Sequence, residues 1–183
     1  MLRHDAAGRP LVEAGGPDSA PLWVSISHGT DLVAVAASAL GPVGIDLEQR
    51  RHLEVNGLAN RWFDPAELAW MTSQHDEAAA FLHLWTAKEA VGKALGKGLR
   101  NSGLRRLMPV PVPGVRQGGP LLGGLIPSTQ QLALVHLPVD GGAIVAVAVP
   151  AGTTSVEVVE YHGAALRRAV VSRTSFPVVV RGN

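Results

Sequence analysis

Cysteine is absent from the 183 residues, which excludes disulfides, thiolate zinc sites and thiol catalysis. That absence fits a reducing, cytoplasmic setting. Long apolar runs are missing too: nothing approaches the ~20 residues that a helix needs to cross a bilayer, and the first ten residues are too polar for a signal peptide. Neither sign of charge is in excess. A formal net charge of +1 gives no global field to hold nucleic acid or a membrane surface. The four tryptophans are scattered without interleaved basic residues, so they read as core anchors and not as a base-stacking platform. With 46% hydrophobic and 17% charged residues, the chain can bury a core as one domain or as two small halves.

What is present concentrates in residues 81–99, FLHLWTAKEAVGKALGKGL, a helix pattern ended by Gly96 and Gly98. At ~3.6 residues per turn, Glu89 and Lys93 share a face with Trp85 one turn earlier. Phe81, Leu84, Ala87, Val91 and Leu95 form the stripe that seats the helix, and the charged face is expected to stay free. Alone, such an i,i+4 pair is common surface decoration worth a few tenths of a kcal/mol. A second acidic element changes its meaning. In residues 44–48, GIDLE, a strand sets Asp46 and Glu48 side by side while Ile45 and Leu47 turn into the core. Two carboxylates so placed repel unless a cation lies between them. Together with Glu89 they would offer Mg²⁺ an oxygen-rich, incomplete shell, with positions left for water and phosphate oxygens. Lys93 would then be a fixed charge for a phosphate.

Strands, then helices, then strands follow along the chain, which predicts an α+β fold. Residues 22–27 and 32–38 read as a hairpin joined by His28-Gly29-Thr30-Asp31, with His28 at a strand end, and residues 43–48 as the next strand. Asp64 caps a helix that has Pro65 at its first position and Glu67 three residues on, with Leu68, Trp70 and Met71 making it amphipathic. Residues 108–129 carry enough proline and glycine to read as an irregular connection. Residues 131–139 and 143–149 flank Asp140-Gly141-Gly142 as a hairpin, and residues 155–161 form a further strand. Residues 163–174 suggest a short basic helix followed by a loose end. Lys88, Lys93, Lys97, Arg100, Arg105 and Arg106 are either a solvated helix end or a basic rim for phosphates or an acidic partner helix. The Gly92 to Gly98 run imitates a phosphate loop but has the wrong first spacing and no Ser or Thr after Lys97. Ser27-His28 lacks the frame of a nucleophile elbow, and His52, His75 and His83 lack the spacing of a helical zinc site.

SISHGTDLVAVAAS at residues 25–38, GIDLE at 44–48 and WTAKEAVGKALGKGL at 85–99 resemble, in order, the three motifs of the 4'-phosphopantetheinyl transferases of the surfactin-synthetase type. The resemblance implies the fold of that family, antiparallel strands packed on a few helices. The N-terminal half is expected to be a reduced one, which would divide the chain into residues 1–43, a Mg²⁺-binding half at 44–162 and a tail at 163–183. It further implies transfer of phosphopantetheine from coenzyme A to a serine of an acyl or peptidyl carrier protein of fatty-acid or secondary-metabolite biosynthesis, with Mg²⁺ as cofactor and 3',5'-ADP released. By the same resemblance Asp46, Glu48 and Glu89 are metal ligands, and Lys93, Lys88 and His28 contact phosphates. Ser27 contacts coenzyme A, and Arg9 in Gly8-Arg9-Pro10 lies near its adenine end. Glu89 is the first choice of base for the serine proton and Glu48 the second. About 43 residues precede GIDLE where the family has a full half, so either that half is reduced or the chain is a fragment or mis-started reading frame, and one wall of the cofactor cleft is expected to be incomplete. A homo-oligomer, in which a second copy supplies that wall, would complete it. The alternative function is a non-catalytic module that binds coenzyme A or carrier protein on the same fold.

Overall fold

The computed structural model describes residues 1–13, 20–50, 53–99, 103–110, 120–139, 142–163 and 170–181. The first four strands, β1 (Leu2–His4), β2 (Pro10–Val12), β3 (Leu22–His28) and β4 (Val33–Ser38), form an antiparallel sheet in the order β1-β2-β3-β4. The hairpin expected around residues 28–31 is the β3/β4 pair, with Ile26 opposite Val35 and His28 opposite Val33. β5 (Gly44–Gln49) then opens a second sheet and is followed by α1 (Asn56–Trp62), α2 (Pro65–Thr72), α3 (Glu77–Ala94) and a short 3₁₀ turn, Gly103–Arg105. β6 (Leu121–Ile126), β7 (Thr129–Leu137), β8 (Ala143–Pro150), β9 (Ser155–Glu160) and β10 (Ser172–Arg181) complete that sheet in the order β5-β8-β7-β6-β10-β9. Strands and helices occupy separate stretches, so the fold is α+β as expected.

Three layers result. On one face of the six-stranded sheet, Ala146 and Ala148 of β8 and Leu132 and Leu134 of β7 meet Ala87, Ala90, Val91 and Ala94 of α3 in one core cluster. On the other face, Ile45, Leu47, Val145 and Val147 pack with Trp23, Ala34 and Ala36 of the first sheet. β5 is therefore covered on both sides although it is an edge strand, and α3 is buried over far more than the single stripe its sequence suggests. Small side chains allow a very close approach. A Cβ placed on Gly44 would lie 1.9 Å from Ala90 O and 2.6 Å from Ala94 N, so only glycine fits where α3 crosses β5. That crossing brings residues 46 and 48 of the strand beneath residues 89 and 93 of the helix.

α2 begins with the capping box its sequence predicts: Asp64 accepts from Ala66 N and Glu67 reaches back to Asp64 N. α3 starts at Glu77, four residues before the expected boundary, with Asp76 accepting from Ala79 N. It ends before Gly96 and Gly98, both at positive φ. Two expectations fail in the second sheet. Residues 108–129 are not wholly irregular, because β6 lies inside them; its glycines look like breakers, but at Gly124 a Cβ would meet Pro109 Cβ at 2.4 Å, so the residue serves close packing. The C-terminal stretch is not a loose tail either. β10 pairs antiparallel with β9 over 172–177 and then parallel with β6 over 178–181, burying Phe176 and Val178. The switch falls at Pro177, where the missing amide donor is tolerated. Half of the basic helix expected at 163–174, residues 164–169, lies outside the described residues, and its last three positions belong to β10.

Candidate active site

Asp46 is the centre of the site. Its strand alternation turns it toward α3, where Lys93 Nζ lies 2.7 Å from Oδ1, 3.0 Å from Ile45 O and 3.4 Å from Ile26 O. The charged face of α3 is therefore not free, as the sequence suggests, but closes onto β3 and β5. Ser27 Oγ donates to the same Oδ1 at 2.8 Å and accepts the Leu47 N–H at 3.2 Å. One register step earlier, Ser25 Oγ accepts the Ile45 N–H at 3.0 Å. The two buried serines thus bridge β3 to β5 where no backbone ladder runs between the sheets. Gln49 Oε1 holds the 28–32 turn by accepting from Thr30 N at 3.0 Å, a role the sequence does not signal.

Glu89 joins the same electrostatic neighbourhood. Burial pushes its carboxyl above the usual carboxylate range, the Asp46 and Glu48 charges push in the same direction, and Lys93 opposes them. Three carboxylates in one neighbourhood, with Glu89 pushed up by the charges of the other two, fit a hard divalent cation in kind, because such an ion takes oxygen ligands and would relieve the repulsion. Among the described residues, no three His, Asp or Glu side chains converge as a ready-made metal cage.

His28 lies at the end of β3, exposed, and on the opposite face from Ser27. It shares that face with Ile26, Val33 and Val35, which are 55%, 72% and 60% exposed.

Two expected cofactor contacts are placed elsewhere. Lys88 faces the protein interior with no exposure, held by both oxygens of Glu67 and by Arg106 O, because its position on α3 points away from Glu89 toward α2. Arg9 puts Nε and Nη2 on Asp5, donates Nη1 to Ala94 O at 2.8 Å and stacks 4.6 Å over Trp23, so it ties the end of α3 to β2 and β3. The basic rim is reduced accordingly: Lys88 is buried, Lys93 is paired, and Arg106 has a buried Nη1 with no partner among the described residues, while Lys97 and Arg105 stay exposed. Arg100 lies outside the described residues. Ser27 is also buried, and its hydroxyl is committed to Asp46 and Leu47.

A family model described as the 4'-phosphopantetheinyl transferase superfamily matches residues 42–148, the segment from the turn before β5 to β8 that contains Asp46, Glu48, Glu89 and Lys93. The chain belongs to that superfamily. Similar proteins include the 4'-phosphopantetheinyl transferase AcpT of Salmonella typhimurium, 40% identical over 92 residues, 49% of this chain and 46% of the relative. The 4'-phosphopantetheinyl transferase gsp of Aneurinibacillus migulanus is 33% identical over 101 residues, 54% of this chain and 39% of that protein. AcpT of Escherichia coli strain K12 is 35% identical over 105 residues, 52% of this chain and 54% of the relative. The chain therefore spans about half or less of the length of these curated relatives. No helix among the described residues is long and apolar enough to cross a membrane.

Proposed function

We propose that this phosphopantetheinyl transferase chain moves the phosphopantetheine arm of coenzyme A onto a serine of an acyl or peptidyl carrier protein. The observation that carries the reading is the gathering of Asp46, Glu48, Glu89 and Lys93 at the crossing of β5 and α3 in a chain of this superfamily. Asp46, Glu48 and Glu89 would hold Mg²⁺, which when bound supplies charge neutralisation at the pyrophosphate. The serine oxygen attacks the phosphorus that carries the pantetheine, the bond from that phosphorus to the bridging oxygen breaks, and 3',5'-ADP leaves with the bond's electron pair. Glu89 takes the serine proton, directly or through a water, with Glu48 as the second choice. Lys93 and His28 offset the charge on the phosphate oxygens. A cytoplasmic setting and a second copy covering the exposed Ile26, Val33 and Val35 face are part of the same reading.

The test is to incubate the protein with coenzyme A, Mg²⁺ and an apo carrier protein and weigh the carrier by mass spectrometry. Gain of one phosphopantetheine supports the reading. A folded protein that leaves the carrier unchanged with and without Mg²⁺ overturns it.

A further inference from the structure

The two sheets present four outer edge strands, and three of them carry features that keep other strands away. β1 is three residues long and bears Arg3 and His4, and β9 bears Glu157 and Glu160. β5 has its outward amides at Ile45 and Leu47 taken by Ser25 and Ser27, and Ile45 O taken by Lys93. β4 has none of these protections. It runs along β3 without a register shift, contains no proline, and lies in a stretch, residues 32–45, with no ionisable side chain.

The direction of its free backbone groups follows from the hairpin. Gly29 N donates to Leu32 O at 2.8 Å, so residues 29 and 32 are a hydrogen-bonded pair. By the alternation of an antiparallel ladder, Val33, Val35 and Ala37 then stand at the non-hydrogen-bonded positions opposite His28, Ile26 and Val24, and turn their N–H and C=O groups away from β3. Ile26 O agrees with this, since it turns from β4 to accept from Lys93. Among the described residues, β4 has no second neighbour in its sheet, and no turn or loop amide reaches those three residues. Their side chains are exposed as well. An antiparallel strand without charge satisfies both the edge and its valines.

We infer that β4 pairs with β4 of a second copy of this chain, antiparallel about a two-fold axis at Val35, so that the two four-stranded sheets become one. Val35 of one copy then meets Val35 of the other, and Val33 meets Ala37. No like charges are brought together along these strands, whereas β9 paired with itself would gather carboxylates. The inference rests on the second copy in the reading above, to which it gives an edge contact, and not on the transfer reaction.

Sedimentation velocity of the full chain over a range of concentrations is the test, with thermal unfolding of each variant measured alongside. The parent is expected to be a dimer, and Val35→Lys to raise its dissociation constant by roughly 10-fold or more, because two like charges would face each other at the axis. Ile26→Lys lies on the same exposed face but one strand inward. Its two lysines would stand three strand spacings apart, roughly 14 Å, beyond the ~8 Å screening length, so dimerisation should stay within about 2-fold of the parent. The chain has no cysteine, so an introduced thiol reports alone. Val35→Cys should cross-link the copies under mild oxidation, since a hydrogen-bonded antiparallel pair sets Cα atoms ~5.5 Å apart, within disulfide reach. Val179→Cys, exposed on β10, should remain uncross-linked. A parent that is monomeric throughout overturns the inference, and the carrier assay then judges the transfer reaction separately. A dimer broken equally by Ile26→Lys and Val35→Lys would mean that the copies meet face to face, which overturns edge pairing and keeps the second copy. Equal cross-linking at positions 35 and 179 overturns it too.

Discussion

Lys88 Nζ lies 2.7 Å from both carboxylate oxygens of Glu67, and neither side chain reaches solvent. Every valence of the pair is used. The ammonium gives its third proton to Arg106 O at 2.6 Å, Glu67 Oε1 also accepts Met108 N at 2.8 Å, and Oε2 closes the capping box at Asp64 N. One buried carboxylate therefore joins the start of α2, the middle of α3 and the 106–108 segment. Desolvation pulls the Lys88 ammonium down and the Glu67 charge pulls it back up, as for any cation held in an apolar interior by one partner.

Removing one member strands the other. Lys88→Met or Glu67→Gln is expected to cost about 3–5 kcal/mol in urea denaturation, and the double variant less than the sum. If Lys88→Met kept near-parent stability and instead raised the KM for coenzyme A, Lys88 would be a phosphate contact after all.

Gly44 is the second structural pivot, since Ala90 O occupies the space a Cβ would need. Gly44→Ala must push α3 off β5 and separate Asp46 from Lys93. The expected loss is about 3 kcal/mol, equivalent to a thermal midpoint roughly 6–12 °C lower, with carrier modification reduced further than stability alone explains. A midpoint within about 2 °C of the parent would mean that helix and strand sit farther apart in solution.

How much of this was legible follows from which interactions are local. The capping box at Asp64, the β3/β4 and β7/β8 hairpins and the Asp46/Glu48 alternation are written in neighbouring residues, and each forms. Glu67 was legible as a cap but not as the partner of Lys88, because 21 residues and a helix turn separate them. The alternation Ser25-Ile26-Ser27 could have shown two hydroxyls on one strand face, yet nothing local says that β5 lies beneath them. β10 was illegible for a related reason: its second half pairs with β6, which is distant in sequence. Arg9 is tied to Ala94, 85 residues away, which no tripeptide motif encodes.

His83 and His136 make the acid response of the fold predictable. Their Nδ1 atoms lie 3.3 Å apart with rings edge to face at 4.9 Å, and His136 Nε2 is buried without a partner among the described residues. Burial, and then His83, hold His136 down to about 3, while burial and Arg50 hold His83 below its ordinary value. Both imidazoles are thus neutral when folded and protonate more readily when unfolded. Stability is full above the unfolded value of ~6.5 and is lost as pH falls from there toward 3. The loss at the acid end is at most on the order of 5 kcal/mol from His136, an upper figure because the residue is only half-buried. Denaturation midpoints at pH 7.5, 6, 5 and 4 check it. His136→Leu should flatten the fall, and an unaltered slope in that variant would exclude the pair as its source.

Lys93 separates charge at the site from support of the fold. Its side chain is 30% exposed, and Asp46 keeps its Ser27 hydrogen bond without it. Lys93→Met preserves length and helix propensity, so folding should weaken by only about 1 kcal/mol, the scale of a partly exposed ion pair. Turnover is another matter. Loss of a fixed cation at a position where phosphate charge develops typically costs ~100-fold or more, so carrier modification should fall by that order while the thermal midpoint moves by no more than roughly 4 °C. Asp46→Ala should be at least as damaging to transfer, since it removes both the candidate ligand and the partner of Lys93. The two activities compared with the two midpoints decide the matter. Should Lys93→Met melt far below the parent yet modify carrier at the parent rate, the ammonium belongs to the fold, tying Ile26 and Ile45 together, and another cation would have to meet the phosphates.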